Sequence, residues 1–456
     1  MGGGSGLGSK SRKRRDRRKR GGRRRGGNGV RPVDIELRIE QLGHHGDGIG
    51  AHRDRMIYVP GALPGELVRA RTVKPKASGF LASLVKVIEP SEDRVEARCA
   101  IADRCGGCAV QQLEDSAYLS WKGAVLQKAL ARFGVNPDLV LPVRPTQPGL
   151  RRRMTLRALK AGQTLVTGYS GRYSDEIVDL KACPLVTDRL AGLLAPLKAM
   201  IGDECMPQGM YRLTVTHADQ GIDLVIGHDL EPGLEARETL TRFAEDNSIG
   251  QLSWLSEDQD TPEPICHRRS VAMSFGGINV ALPPGSFVQA VKAAEDLMVA
   301  EILAALPSAP AHGRVCDLFA GLGTFSVPLA ATCPVTAVES DSRASQALAQ
   351  AARDPALFKP ISVIQRDLFR DPLTVAELSG YRALIFDPPR AGAEAQAREI
   401  AQSTIPVVIA VSCNPKSFAR DASILEAGGY VLEKVTPIDQ FLWSSHLEMV
   451  GVFRRV

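Results

Sequence analysis

At 456 residues, with 44% apolar side chains and 57 Lys+Arg against 51 Asp+Glu, the chain is long enough for two to four domains with sizeable cores. No apolar run nears the roughly 20 residues of a membrane helix, and residues 1–29 lack the hydrophobic segment of a signal peptide, which argues against insertion and secretion. Nine cysteines, an odd number in so long a chain, suit a reducing cytoplasm better than a secreted disulfide framework.

The basicity is concentrated in a tail. Residues 10–25 hold 12 Lys/Arg and one acid, Asp16, so the rest of the chain is net acidic. Residues 1–29 have almost nothing to bury and are expected to be disordered, with the clustered charge suited to RNA phosphates. From 30 to 90, short alternating apolar runs at 33–39, 56–59, 66–72 and 81–88 are broken by glycines, which predicts a small β-barrel of the OB kind. This stretch resembles a TRAM domain, a small RNA-binding barrel.

Residues 91–283 read as a central α+β domain, with a helix over 116–133 and strands over 213–217 and 222–227. From 284 to 456 the pattern becomes strand, turn, helix, repeated, with apolar runs at 315–319, 335–339, 361–364, 383–387 and 407–413. That alternation predicts a Rossmann-like, doubly wound α/β domain.

Asp317-Leu-Phe319-Ala-Gly321-Leu-Gly323-Thr324 follows the first of these strands, and its glycines let a ligand approach the backbone at the carboxyl edge of the sheet. Glu339 ends the next strand, where an acid can hold ribose hydroxyls. With Asp367 and Asp387, four carboxylates are expected at successive strand ends. Helix N-capping accounts for any one of them but less readily for all four. The arrangement resembles the S-adenosylmethionine domain of Rossmann-like methyltransferases.

Asp387-Pro-Pro-Arg390 is rigid, since proline fixes φ, and by itself also suits methylation of amino groups. Ser412-Cys413-Asn414-Pro415 then sets a cysteine at the next strand end, where a thiolate would be a nucleophile rather than a buried apolar group. The chemistry that uses both is methylation of C5 of uracil. That carbon becomes nucleophilic only after a thiolate adds to C6, and its proton must then go to a base. His446 and Glu448, expected on one face of a strand over 447–453, are the candidates, and spacing does not choose between them.

Taken together, Asp387-Pro-Pro-Arg390, Ser412-Cys-Asn-Pro415 and His446-x-Glu448 resemble the uracil-5 RNA methyltransferase family over most of residues 33–456. The resemblance implies Cys413 as nucleophile and Glu448 as proton acceptor. It implies an S-adenosylmethionine site lined by Phe319, Thr324, Glu339, Asp367 and Asp387, with Gln289 between cofactor and base. Val291 stands where the family usually has Asn, and Leu442 where it usually has Pro.

Cys99, Cys105 and Cys108 form C-x5-C-G-G-C, and Cys183-Pro184 comes much later. Four thiolates suit zinc or an iron–sulfur cluster. The single tight knuckle, its two glycines and the proline lean towards [4Fe–4S]. The pattern also resembles the ribosomal branch of the family. Arg151, Arg152, Arg153, Arg172 and Tyr173 are read either as RNA contacts or as a solvated basic loop. The expectation is a cytoplasmic, monomeric enzyme acting on RNA, with 23S ribosomal RNA favoured over transfer RNA. An amino-directed methyltransferase and a non-catalytic RNA-binding iron–sulfur protein are the alternatives.

Overall fold

The computed structural model describes residues 32–306 and 313–456, so the basic tail lies outside the described residues. Three β-sheets and their helices make up most of it. Among the described residues no helix is long and apolar enough to cross a membrane.

The N-terminal sheet has six strands in the order Asp34–Arg38, Leu67–Lys76, Gly79–Glu89, Arg55–Pro60, Asp47–His52, Gln41–Leu42. Its two outer strands are consecutive pieces of chain, and Glu40 N–H donates to the Ile49 carbonyl at 2.8 Å where they join. Ile35, Leu37, Ile57, Val59, Val68 and Ala70 fill its interior. Strand Asp47–His52, absent from the sequence expectation, contains Gly50, where a Cβ would lie 2.2 Å from the Arg38 carbonyl. A glycine that reads as a turn is here what lets two strands approach.

The central sheet has seven strands, ordered Ile177–Asp179, Thr164–Ser170, Arg153–Ala161, Gly209–His217, Ile222–Gly227, Gln251–Leu255, Glu263–His267. Helices Leu194–Gly202 and Leu234–Asp246 cover it through Leu197, Met200, Leu240 and Phe243.

The third sheet runs Ile361–Gln365, Val335–Glu339, Arg314–Leu318, Tyr381–Phe386, Val407–Ser412, Glu448–Arg455, Tyr430–Asp439, with the short Arg144–Pro145 at its edge. The first five strands are parallel, and the inner ones are largely apolar and buried, as expected where helices cover both faces, while the edge strand Ile361–Gln365 is mostly exposed. Glu448–Arg455 runs antiparallel between its neighbours. This reversal brings the first residue of that strand to the carboxyl edge of the other five. Helix Asp115–Arg132 packs here too, placing Leu126 and Leu130 in one core with Leu384, Val408, Phe418 and Met449.

Candidate functional site

The carboxyl edge of the third sheet collects most of the expected site. After strand Arg314–Leu318 the chain turns sharply: Phe319, Gly321 and Gly323 all have positive φ (62°, 55° and 89°). Glu339 ties this loop to the next strand. Its Oε2 accepts from Gly321 N–H at 2.8 Å, and its Oε1 accepts from the N–H groups of Ser340 and Asp341, each at 2.7 Å. Thr324 is half-buried on the same loop. Asp367 follows the third strand and accepts from Phe369 N–H at 3.0 Å, and the Phe369 ring stands 5.5 Å from that of Phe319. Asp387 follows the fourth.

Asp317 departs from expectation. It lies inside its strand, fully buried, with one carboxyl oxygen accepting from Ser326 Oγ at 2.5 Å and the other without a partner. Burial pushes it up to about 7, so it belongs to the core beneath the crevice, and of the four expected acids Glu339, Asp367 and Asp387 line the edge.

A chain of polar side chains crosses the edge. Gln289 Nε2 donates to Asp387 Oδ2 at 3.3 Å. Gln440 Nε2 donates both to Gln289 Oε1 at 2.7 Å and to Glu448 Oε1 at 3.0 Å, while Gln440 Oε1 accepts from Val291 N–H at 3.3 Å. Both glutamines are buried, so their amides have one orientation that satisfies the network. Gln440 was not singled out by sequence reasoning, although it lies only eight residues before Glu448. Burial lifts Glu448 to about 7, Gln440 and Lys122 opposing the rise. Burial, then the charges of Glu448 and Asp317, push Asp387 well above the ordinary carboxylate range.

Cys413 completes the group. The ladder between Val407–Ser412 and Glu448–Arg455 ends at the pair Ser412 and Met449, so the next residue on one side is Cys413 and on the other Glu448. Burial pushes the Cys413 thiol up to about 12, the charges of Glu448 and Asp387 add to the rise, and Arg390 opposes it. Asn414 caps the helix Pro415–Ala427 by accepting from Lys416 N–H, and its amide donates to the Arg390 carbonyl at 2.9 Å, joining the two motifs.

His446 differs from expectation: it precedes the strand and so does not share a strand face with Glu448. It is half-buried, and burial together with Arg390 and Lys122 lowers it to about 4, which leaves it neutral near pH 7. With Cys413, Arg390 and Lys416 it lines a cleft of about 550 Å³ whose far wall is His44, His45, Trp121, Lys128 and Arg132.

Arg152 is not a solvated basic group. It is buried, pairs with Glu295 at 2.5 Å and donates to the Gln289 carbonyl at 2.9 Å, so it fixes the glutamine backbone and is closed to RNA. Arg153 instead stands over the exposed Phe287 ring, 5.9 Å from its centre, and Arg151 over Phe441 at 5.5 Å. Arg172 donates to the Cys108 carbonyl at 2.5 Å and Tyr173 to Asp47, both joining the cysteine loop to its neighbours. Neither arginine signal could be sorted from sequence, because the partners are distant in the chain.

Cys99, Cys105, Cys108 and Cys183 line one cavity of about 250 Å³, with Tyr169, Met154 and Arg151. Cys105 bridges to Gly171 on the central sheet, and Gly106 N–H donates to the Ser170 carbonyl at 3.0 Å. Burial raises the Cys105 and Cys183 thiols and pushes Cys108 up to about 12, and each sulfur's charge further raises its neighbours. Among the described residues, no three Cys, His, Asp or Glu side chains converge closely enough to hold one metal ion. Of the other cysteines, Cys316 and Cys333 are buried, whereas Cys205 and Cys266 are half-buried.

Comparison with known proteins agrees with this geometry. Residues 279–455 match the family described as tRNA (Uracil-5-)-methyltransferase, and residues 34–78 match the TRAM domain. An uncharacterized RNA methyltransferase of Brucella suis is 38% identical over 421 residues, covering 92% of this chain and 98% of its own. The 23S rRNA (uracil(1939)-C(5))-methyltransferase RlmD of Aeromonas hydrophila is 30% identical over 437 residues, covering 93% and 97%. The crystal structure of the Pyrococcus abyssi tRNA (uracil-54, C5)-methyltransferase, in complex with S-adenosyl-L-homocysteine, shares the fold with a TM-score of 0.73 at 21% identity, covering 92% of this chain and 99% of that one. The chain belongs to the RNA uracil-5 methyltransferase family, with a TRAM domain over residues 34–78, and is an enzyme that methylates C5 of uracil in RNA.

Proposed function

We propose that the reaction runs through a covalent bond between Cys413 and C6 of the target uracil, with Glu448 as the base. The observation that carries this reading is the register that sets Cys413 and Glu448 side by side at the carboxyl edge, where the 550 Å³ cleft reaches the thiol. Cys413 first loses its thiol proton to solvent; Sγ, as the thiolate, then adds to C6, and the electron pair of the C5–C6 bond moves to make C5 nucleophilic. S-adenosylmethionine, when bound, supplies the electrophilic methyl group that C5 takes. Glu448 then accepts the C5 proton. The C5–H pair re-forms the C5–C6 double bond, the C6–S bond breaks, and its electrons return to Cys413. A carboxyl lifted to about 7 is suited to taking a proton near neutrality.

Phe319, Thr324, Glu339, Asp367, Asp387 and Gln289 would hold the cofactor. The tight loop bound by Glu339, and Asp387 facing Gln289, give that group a polar edge with room for close backbone approach. Cys99, Cys105, Cys108 and Cys183 would hold a [4Fe–4S] cluster. The reading is supported by the cavity the four cysteines share and by the single tight knuckle with its two glycines, which suits this cluster better than zinc. The N-terminal sheet is then an OB-like barrel over residues 30–90, the cluster belongs to 91–283, and catalysis to 284–456. Full-length similarity at 30% identity to a 23S ribosomal RNA enzyme favours that RNA over transfer RNA.

The test uses transcripts of 23S ribosomal RNA and of transfer RNA, labelled and run on denaturing gels. Glu448→Gln should leave a methylated RNA bound to protein, and Cys413→Ala should leave none. An adduct in Cys413→Ala would overturn the covalent route, and methylation confined to transfer RNA would overturn the choice of substrate.

A further inference from the structure

Helix Asp115–Arg132 buries Tyr118, Lys122, Leu126 and Leu130, four residues on one stripe at i, i+4, i+8 and i+12. Leucine belongs there; lysine does not. A buried ammonium is tolerated only when each of its three donors has a partner. Lys122 meets that condition. Its Nζ donates to Asp439 Oδ1 at 2.5 Å, to the Phe441 carbonyl at 3.1 Å and to the His446 carbonyl at 2.7 Å. Four residues earlier, the Tyr118 hydroxyl donates to Asp439 Oδ2 at 2.5 Å and accepts from Trp443 N–H at 2.7 Å.

One helix thus grips the segment 439–446 at four points along its length. Between the first two grips lies Gln440, whose amide is the sole hydrogen-bond donor to Glu448 among the described residues. The segment is otherwise a loop, with no ladder of its own between strands Tyr430–Asp439 and Glu448–Arg455. An apolar side chain would fill the stripe as well, so burial alone does not call for an ion pair at this position.

We propose that Lys122 is a positioning residue for proton abstraction: by fixing both ends of the loop it holds the Gln440 amide against Glu448 and aims the carboxylate at the C5 proton. The assignment rests on Glu448 being the base. Its signature is a step-specific defect. Addition of Cys413 and methyl transfer precede the step that Glu448 performs, so loss of Lys122 should spare both and delay release.

The experiment compares the full-length parent, Glu448→Gln, Lys122→Met and the double variant Lys122→Met/Asp439→Asn, which leaves no unpaired buried carboxylate. Each is mixed with the RNA transcript that the parent methylates, and two rates are followed in single turnover: appearance of the methylated protein–RNA adduct, and its decay to free RNA. Adduct formation within about threefold of the parent with decay slowed roughly 10²-fold, the lower end of a general base's contribution, in either Lys122 variant supports the proposal. Decay at the parental rate in the double variant overturns it. Equal loss of formation and decay in the double variant also overturns it, since that is what a merely structural pair would give. If Glu448→Gln itself accumulates no adduct, the base assignment falls and the clamp with it; if that variant accumulates adduct and neither Lys122 variant does, the clamp alone falls.

Discussion

Cys413 and Glu448 meet across the open end of one antiparallel strand pair, the thiol on the strand that leaves the carboxyl edge and the carboxyl on the strand that enters it. Burial, then the charges of Glu448 and Asp387, raise the cost of ionising Cys413, while burial is what lifts Glu448. Three acids share a small, poorly solvated space, which near pH 7 keeps the Cys413 thiol protonated in the free protein and leaves Glu448 poised to take a proton.

The first prediction concerns thiol reactivity. With its ionisation pushed to about 12, only about one Cys413 in 10⁴ is thiolate at pH 8 in the free protein. Alkylation by iodoacetamide, followed by mass spectrometry of the Cys413 peptide, should be slow at pH 8 and rise about tenfold per pH unit up to pH 10. A plateau near pH 8.5, as for an ordinary thiol, would contradict the burial argument.

A second prediction concerns stability against pH. Glu448 ionises near 7 in the folded state against an ordinary 4.5, with burial the main cause. The stability tied to its protonated form is complete below about 4.5 and is lost as pH rises through about 7. That gap corresponds to roughly 3 kcal/mol. Glu448→Gln cannot ionise, so urea denaturation should show the variant gaining about that much on the parent between pH 4.5 and 7.5. A constant difference across that range would show that the carboxylate is well solvated.

A third prediction follows from the cysteine cavity. Protein purified without oxygen should be brown and carry about four iron and four sulfide per chain. Cys105→Ser removes a sulfur that is buried beside the other three and should bleach the colour. Stoichiometric zinc without iron would reverse the assignment.

The fourth prediction separates two glycines of the crevice loop. At Gly323, with φ of +89°, a Cβ would lie 2.5 Å from Leu348 Cδ1, whereas at Gly321 it would meet nothing within 4 Å. Gly323→Ala should cost about 1–3 kcal/mol in thermal or chemical unfolding, and weaken binding of S-adenosylhomocysteine measured by calorimetry. Gly321→Ala, strained only by its φ, should cost about 1–2 kcal/mol.

Much of the catalytic sheet is legible from sequence, because strands covered on both faces are continuous apolar runs. Val335–Glu339 and Ile222–Gly227 match expectation residue for residue, and the helix expected over 116–133 spans Asp115–Arg132. What is not legible depends on partners far away. Lys122 on a helix reads as a surface charge, since nothing nearby in sequence announces Asp439. Arg152 reads as part of a basic patch for the same reason, Glu295 being 143 residues on. Asp317 looks like a strand-end acid until its strand is seen to continue to Leu318.

The grip of Lys122 on Asp439 spans 317 residues of chain. At the usual roughly 5–20 residues per second of synthesis, that interval lasts about 15–60 s. Through all of it the helix Asp115–Arg132 lacks an acid for its buried ammonium, and through most of it the apolar partners Leu384, Val408 and Phe418. The N-terminal and central sheets draw their cores from contiguous stretches and can fold as they emerge. The reacting centre cannot: it closes only when strand Glu448–Arg455 arrives, so catalytic competence comes later than either of those cores.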